Sequence, residues 1–338
     1  MENLMKVKSI VALVVCLAGW AFAPADASAQ LLPGERESVI KTIPGVVAAG
    51  VKWELIWAGF ETADGIVGTP DGGVIFAQEQ TDTIQKINAA GKRSVFATDT
   101  HGAGAVSMDA QGRIFAVMRT CTDPGKPFNA SCPELTMVSQ IYPERKVLAN
   151  SFANGETFGR LNDLIADGKG GAYFTVGGAY HVNAEGVVTK VEDQNLRSNG
   201  IMLSRDAKTL YVTNDTVVLA FDVRQDGSTS NRRDFGSLQG DNGGDGMAID
   251  AEGRLYVTGN MGVHVFSAQG QHLGLIPTPR RPITLAFSGS DKKTLYVPMM
   301  GAIGPDGKAW ETPMGVRNTA MTIYRIPMIA EGFKGRPK

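Results

Sequence analysis

The sequence has almost no net charge: 33 Lys and Arg stand against 34 Asp and Glu in 338 residues. That balance excludes the basic footprint of a nucleic-acid binder and a surface made for anionic membranes. No segment is low in complexity, and no apolar run is long enough to span a bilayer comfortably. Two catalytic signatures are missing as well: there is no G-x-S-x-G elbow and no H-E-x-x-H zinc helix. Histidine is sparse and scattered, at His101, His181, His264 and His272, and cysteine is limited to Cys16, Cys121 and Cys132. Glycine is the residue in excess, at 41. With short apolar runs between them, so many glycines point to tight turns and an all-β chain.

The N-terminus has its own pattern. Lys6 and Lys8 precede SIVALVVCLAGWAFA, and ADASAQ follows with Ala27 and Ala29 at small-residue positions. Residues 1–29 therefore read as a secretory signal peptide, cut after Ala29, and the mature protein is expected to be periplasmic or secreted with no membrane attachment. Cys16 leaves with the signal. Cys121 and Cys132, inside TCTDPGKPFNASCPELT, are then expected to form a disulfide. Residues 30–50 read as a leader with no clear strand, 51–328 as the folded body, and 329–338 as a polar, frayed tail.

Within the body a unit repeats. TPDGGVIFAQ, SMDAQGRIFAV, IADGKGGAYFT, LSRDAKTLYVT, AIDAEGRLYVT and FSGSDKKTLYV each join a short apolar strand, an Asp-led turn and a second strand containing an aromatic residue. Those aromatics, Phe76, Phe115, Phe174, Tyr211, Tyr256 and Tyr296, are spaced 39, 59, 37, 45 and 40 residues apart. The long interval contains the two cysteines and reads as an insertion. A period near 40 with several short strands per unit signals a six-bladed β-propeller. VKWELIWAGF, ahead of the first repeat, is expected to complete the last blade and remove an exposed edge.

A propeller brings the loops leading into its innermost strands to one axis. Those lead-ins are ETADGIVG, HGAGAVSM, GRLNDLIA, RSNGIMLS, GGDGMAID and RRPITLAF. Four of them offer a hard oxygen in nearly the same register: Asp64, Asn162, Asn199 and Asp245. The other two, at His101-Gly102 and Pro282-Ile283, offer no carboxylate, although His101 could line the channel mouth. Taken singly, Asn199-Gly200 and Asp245-Gly246 are turn signals. Repeated at equivalent blade positions, the four residues instead compose an oxygen-rich site for one divalent cation. Ca²⁺ suits it first, with Mg²⁺, Mn²⁺ or Zn²⁺ as alternatives.

At these residues the chain resembles the gluconolactonase and regucalcin-like family, which includes luciferin-regenerating enzyme. RLNDLIADGKGGAYFT looks like the family's Arg-x-Asn-Asp segment, and SNGIMLSRDAKTLYVTN is similar to its Pro-Asn-Gly segment, with Ser198 where Pro is usual. DGMAIDAEGRLYVTGNMGVHVFSAQGQHLG is close to the bacterial sugar-lactonase pattern. The resemblance covers roughly residues 51–328 and implies a six-bladed propeller, an axial divalent metal and lactone hydrolysis. It implies Asn199 and Asp245 as metal ligands, Asn162 as a ligand or a substrate contact beside the metal, and Arg160 as a substrate-binding arginine. The family's Glu-Gly-Pro is replaced by Asp64-Gly65-Ile66, so either Asp64 or Glu61 is expected as the first-blade ligand, with Asp64 keeping register.

The expected activity is divalent-metal-dependent hydrolysis of a small-molecule lactone, a sugar lactone foremost, with Asp245 as proton acceptor and Arg160, Asn162 and His101 facing the substrate. The alternatives are a related hydrolase or lyase acting on another lactone, an aryl ester or an organophosphate, and a non-catalytic binding propeller. Fold alone separates none of these.

Overall fold

Each repeat folds as an antiparallel sheet of four strands, and six such sheets succeed one another along the chain. The computed structural model describes residues 31–32, 35–59, 62–119, 136–191, 196–301 and 322–335. The signal segment, Glu61 and the Cys121–Cys132 loop lie outside the described residues.

Blade 1 runs from Ile66–Gly68 to Arg93–Thr98, blade 2 from Ala103–Met108 to Lys146–Ala149 and blade 3 from Leu164–Ala166 to Val188–Lys190. Blade 4 runs from Ser198–Leu203 to Thr229–Ser237 and blade 5 from Met247–Ile249 to His272–Pro277. Blade 6 takes three strands from Ala286–Ser288 to Thr322–Pro327, and Glu54–Ala58 pairs with the last of them as its fourth. The segment before the first repeat thus closes the ring, as its alternating pattern predicts. Arg325 fastens the closure with two 2.8 Å bonds to the Glu54 carboxylate.

All six Asp-led segments are the turns between a blade's first two strands. The side chain explains the recurrence. Asp109 Oδ1 accepts the N–H groups of Gln111 and Arg113 at 3.0 and 2.9 Å, and Asp250 Oδ1 those of Glu252 and Arg254, both at 2.9 Å. A short carboxylate that bonds the backbone two residues on shapes the turn itself. Behind each turn the repeat's aromatic residue enters the core, and none of the six is more than 5% exposed.

The leader and the tail are held more firmly than their sequences suggest. Residues 35–50 contain no strand, yet Ile40, Ile43, Val46 and Val47 are buried in the same cluster as Val263, Ile276 and Leu295 of blades 5 and 6. Arg36 bonds the carbonyls of Thr278 and Asn260 at 2.8 and 2.7 Å. The tail, expected to fray, is tied down through Gly332, whose N–H donates to Lys292 O at 2.8 Å, and Phe333, whose N–H donates to Ile249 O at 3.2 Å. Its apolar residues explain this: Ala330 is buried and Phe333 packs on the core of blades 4 and 5.

Near the axis, neighbouring blades approach until backbone meets backbone. The Gly65 N–H donates to Gly104 O of blade 2 at 3.0 Å, and the Gly246 N–H to Ile283 O ahead of blade 6 at 2.8 Å. A Cβ at Gly65 would lie 2.3 Å from Ala105 Cα, and one at Gly200 2.0 Å from Asp245 O. Neither Gly200 nor Gly246 has a left-handed backbone. These glycines therefore serve close approach, and the turn reading of Asn199-Gly200 and Asp245-Gly246 gives way. Gly200→Ala is expected to destabilise the protein by about 1–3 kcal/mol through overpacking. A urea denaturation midpoint unchanged from wild type would refute this account of the crowding.

Candidate active site

Six residues occupy equivalent places around the axis, found by counting back from the residue paired with each blade's aromatic. Those partners are Ile66, Ser107, Leu164, Met202, Ala248 and Ala286. Two residues back in blades 1 and 3 are Asp64 and Asn162; three back in blades 2, 4, 5 and 6 are Gly104, Asn199, Asp245 and Ile283. The structure thus brings the four oxygen-bearing residues into one ring. It moves the blade-2 position from His101-Gly102 to Gly104. His101 stands earlier in that lead-in with a left-handed backbone, φ 46°. No hydrogen bond or ion pair joins it to the ring among the described residues.

The backbone beneath the ring is fixed by hydroxyls. Thr175 Oγ1 donates to Asn199 O at 2.5 Å, and Thr258 Oγ1 to Ile283 O at 3.0 Å, each tying one blade to the next. Asp163 does this work where a glycine follows the other polar ring residues: its carboxylate accepts the N–H groups of Leu164 at 2.8 Å and Ile201 at 3.2 Å. The polar run Arg160, Asn162, Asp163 is therefore one rim contact, one ring residue and one inter-blade clamp. Asn162 Nδ2 donates to Asn199 Oδ1 at 2.5 Å, setting two amides side by side.

The loop carrying Asp245 has its own anchor. Asp241 accepts the N–H groups of Asn242, Asn260 and Met261 at 2.7–3.0 Å and meets His264 Nε2 at 3.1 Å. His264 in turn meets His272 at 3.0 Å, so these two histidines are structural. His181 is likewise held by Asp167 at 2.9 Å.

The other half of the site contains charges that sequence reasoning missed. Arg119, buried, bonds Asp64 through Nη2 and Glu79 Oε2 through the same nitrogen at 3.0 Å. Glu79, also buried, is bonded by Arg160 through two nitrogens at 2.8 and 3.1 Å. Burial alone would raise the Glu79 carboxyl, but the two guanidiniums outweigh it and leave it below the usual range. Burial pushes the Asp64 carboxyl up; Glu79 adds to that and Arg119 opposes it. Arg119 comes from the end of a second strand and Glu79 from a single 3₁₀ turn, Glu79–Thr81, so neither shares the lead-in pattern. A buried-strand arginine such as Arg119 was the one available signal.

Asp245 has no such counter-charge in contact. Burial pushes its carboxyl up to about 8, the Asp64 and Asp163 carboxylates add to the rise, and Arg281 and Arg119 lower it only in part. Its side chain has no hydrogen bond among the described residues. Among those residues no group of three or more His, Cys, Asp or Glu side chains is arranged to hold a metal ion. An ion on this axis would therefore rest on amide oxygens as well as a carboxylate. The donor set fits that description: Asp245 has no counter-charge in contact, the amides of Asn162 and Asn199 adjoin each other, and all offer hard oxygens. On Asp64, one oxygen is already engaged by Arg119.

A six-bladed propeller with carboxylate and amide oxygens converging on its axis defines the class of this molecule. The family described as SMP-30/Gluconolactonase/LRE-like region matches residues 93–300, and the chain belongs to that family. A pentonolactonase of Haloferax volcanii is 30% identical over 187 residues, covering 51% of this chain and 64% of that protein. A gluconolactonase of Zymomonas mobilis is 26% identical over 190 residues, covering 47% and 53%. The chain thus spans between half and two-thirds of the length of these curated relatives. Among solved structures, a gluconolactonase of Xanthomonas campestris is similar with a TM-score of 0.67 at 18% identity, over 88% of this chain and 97% of the other. Regucalcin of Agrobacterium tumefaciens, a calcium-binding protein, follows with a TM-score of 0.60 at 17% identity, over 83% and 95%. At these identities the structural likeness is one of fold.

The state of Asp245 has a measurable consequence. A carboxyl whose folded pKa lies above its unfolded value stabilises the fold fully below the unfolded pKa, and that stability is lost as pH rises through the folded value. In ion-free protein, this contribution is expected to lower the melting temperature progressively from about pH 4 to about pH 8 and to level off above that. Asp245→Asn should flatten most of that slope. An equal slope in the variant would show that another group is responsible.

Proposed function

We propose that the chain hydrolyses a lactone, a sugar lactone foremost, with one divalent cation held by Asp245, Asn199 and Asn162. The observation that carries this reading is the Asp245 carboxyl, which has no hydrogen bond among the described residues, in the same ring as the adjoining amides of Asn162 and Asn199. The lactonases among the relatives support the reaction class, and the calcium-binding neighbour supports Ca²⁺ as the first ion to test. The signal pattern at residues 1–29 supports an exported enzyme.

When bound, the cation supplies Lewis-acid polarisation of the lactone carbonyl and lowers the pKa of nearby water. The protein's own part is proton transfer and orientation. Asp245 accepts a proton from the attacking water as the water oxygen adds to the carbonyl carbon. The ring C–O bond then breaks, and its oxygen leaves as a hydroxyl on receiving that proton, so lactone and water become a hydroxy acid. Arg160, steadied by Glu79, offers its exposed edge to substrate hydroxyls. Asn162 would help hold the cation through its amide oxygen and could also meet the substrate.

Acid release over a panel of lactones, aryl esters and organophosphates, with and without chelator, tests the reaction. Sugar lactones should be hydrolysed, and chelation should abolish the activity. Asp245→Asn should lower kcat by about 10²–10⁴-fold, the usual worth of a positioned base. Asn199→Ala should first weaken the response to added cation and recover in excess ion. Hydrolysis indifferent to both chelator and Asp245→Asn would refute the mechanism. Turnover confined to another substrate class would refute the sugar-lactone reading alone.

A further inference from the structure

We infer that blade 2 supplies the ring with the guanidinium of Arg119 in place of a lead-in side chain, and that Asp64 is the counter-ion of that guanidinium and not a ligand of the cation. The inference rests on the cation reading above and deepens it. Gly104 is the blade-2 ring position, and its missing side chain is what makes room. An ideal Cβ there would lie 2.2 Å from Arg119 Nε and 2.3 Å from Cζ. The guanidinium therefore fills the volume that a side chain takes at the other ring positions.

Arg119 is fastened in that place. It is 8% exposed, and its Nη2 is held between Asp64 and Glu79. Its Nε is buried without a hydrogen-bond partner among the described residues. Leaving a buried donor unmet is costly, so two carboxylates hold the group where solvation alone would not. The chain Arg160–Glu79–Arg119–Asp64 runs from the rim to the ring through blades 3, 1 and 2 and back to blade 1.

The consequence for a cation follows from charge. A guanidinium remains protonated at any pH at which the protein is folded. A carboxylate oxygen shared with it is a poor donor to a dication, because the two positive charges repel across the shared group. The ring therefore divides. Asn162, Asn199 and Asp245 form the half that takes a cation, while Gly104 and Asp64 form a half occupied by the permanently charged guanidinium of Arg119 and its partner.

Calorimetric titration of chelator-stripped, full-length protein with Ca²⁺ alone and Mn²⁺ alone tests this. Asp64→Asn leaves Arg119 paired with Glu79, and its Kd should stay within about tenfold of wild type. Arg119→Gln leaves Glu79 paired with Arg160 and frees Asp64, so binding should tighten by about tenfold or more, the scale typical of groups that tune ligands. That gain should vanish in the double variant. Gly104→Ala, which displaces the guanidinium, provides a second route to the same tightening if Arg119→Gln does not fold. A loss beyond tenfold in Asp64→Asn, with wild type still binding, would make Asp64 a ligand and overturn the inference. So would an unchanged Kd in both Arg119→Gln and Gly104→Ala. If no form binds either ion, the cation reading falls, and this inference with it.

Discussion

Crowding at the axis governs this molecule. Six blades can meet around one line only if the backbone following each ring position fits against the next blade. Gly65, Gly200 and Gly246 meet the requirement by having no side chain, and Asp163 meets it by bonding the neighbouring backbone. The same close approach sets the ring residues side by side, as the bond between the Asn162 and Asn199 amides shows. Geometry that closes the propeller therefore also assembles the site. Buried hydroxyls such as Thr175 and Thr258 then lock each lead-in to the next and fix the spacing of the oxygens.

Charge is distributed unevenly on this scaffold. On the side of blades 1 and 2, every buried carboxylate has a guanidinium: Glu79 has two, and Asp64 shares one of them. On the side of blade 5, Asp245 faces other carboxylates without a partner in contact. A buried charge left unpaired costs free energy, and proteins retain such groups chiefly where chemistry uses them. This asymmetry, more than the count of acidic residues, is what supports the proposal of Asp245 as the reactive member of the ring.

Much of this could be read in the sequence, for identifiable reasons. The six turns were legible because Asp shapes each one through its own backbone bonds, and the six aromatics because each fills the same buried place. Asp64, Asn162, Asn199 and Asp245 were legible through recurrence. Gly104 was not, because blades 1 and 3 differ by one residue from the other four in their lead-ins, and a glycine offers no chemistry to notice. Arg119 and Glu79 reach the site from elements outside the repeated register, and only folding puts them within bonding distance of Asp64 and Arg160. The packing of the leader escaped notice because its apolar residues follow no strand or helix period.

The shared sixth blade sets the order of assembly. Glu54 and Arg325, bonded across the closing strand pair, are 271 positions apart in the chain. Blades 1 to 5 are each built from near neighbours in sequence, so their hairpins can form as soon as their own residues are available. Blade 6 must wait for its last strand, and closing so long a loop is slow and entropically opposed. Until then the unpaired edges at the two open ends are exposed to other chains. The final strand pairing thus converts an aggregation-prone open crescent into a ring, and that step is expected to limit the rate of folding.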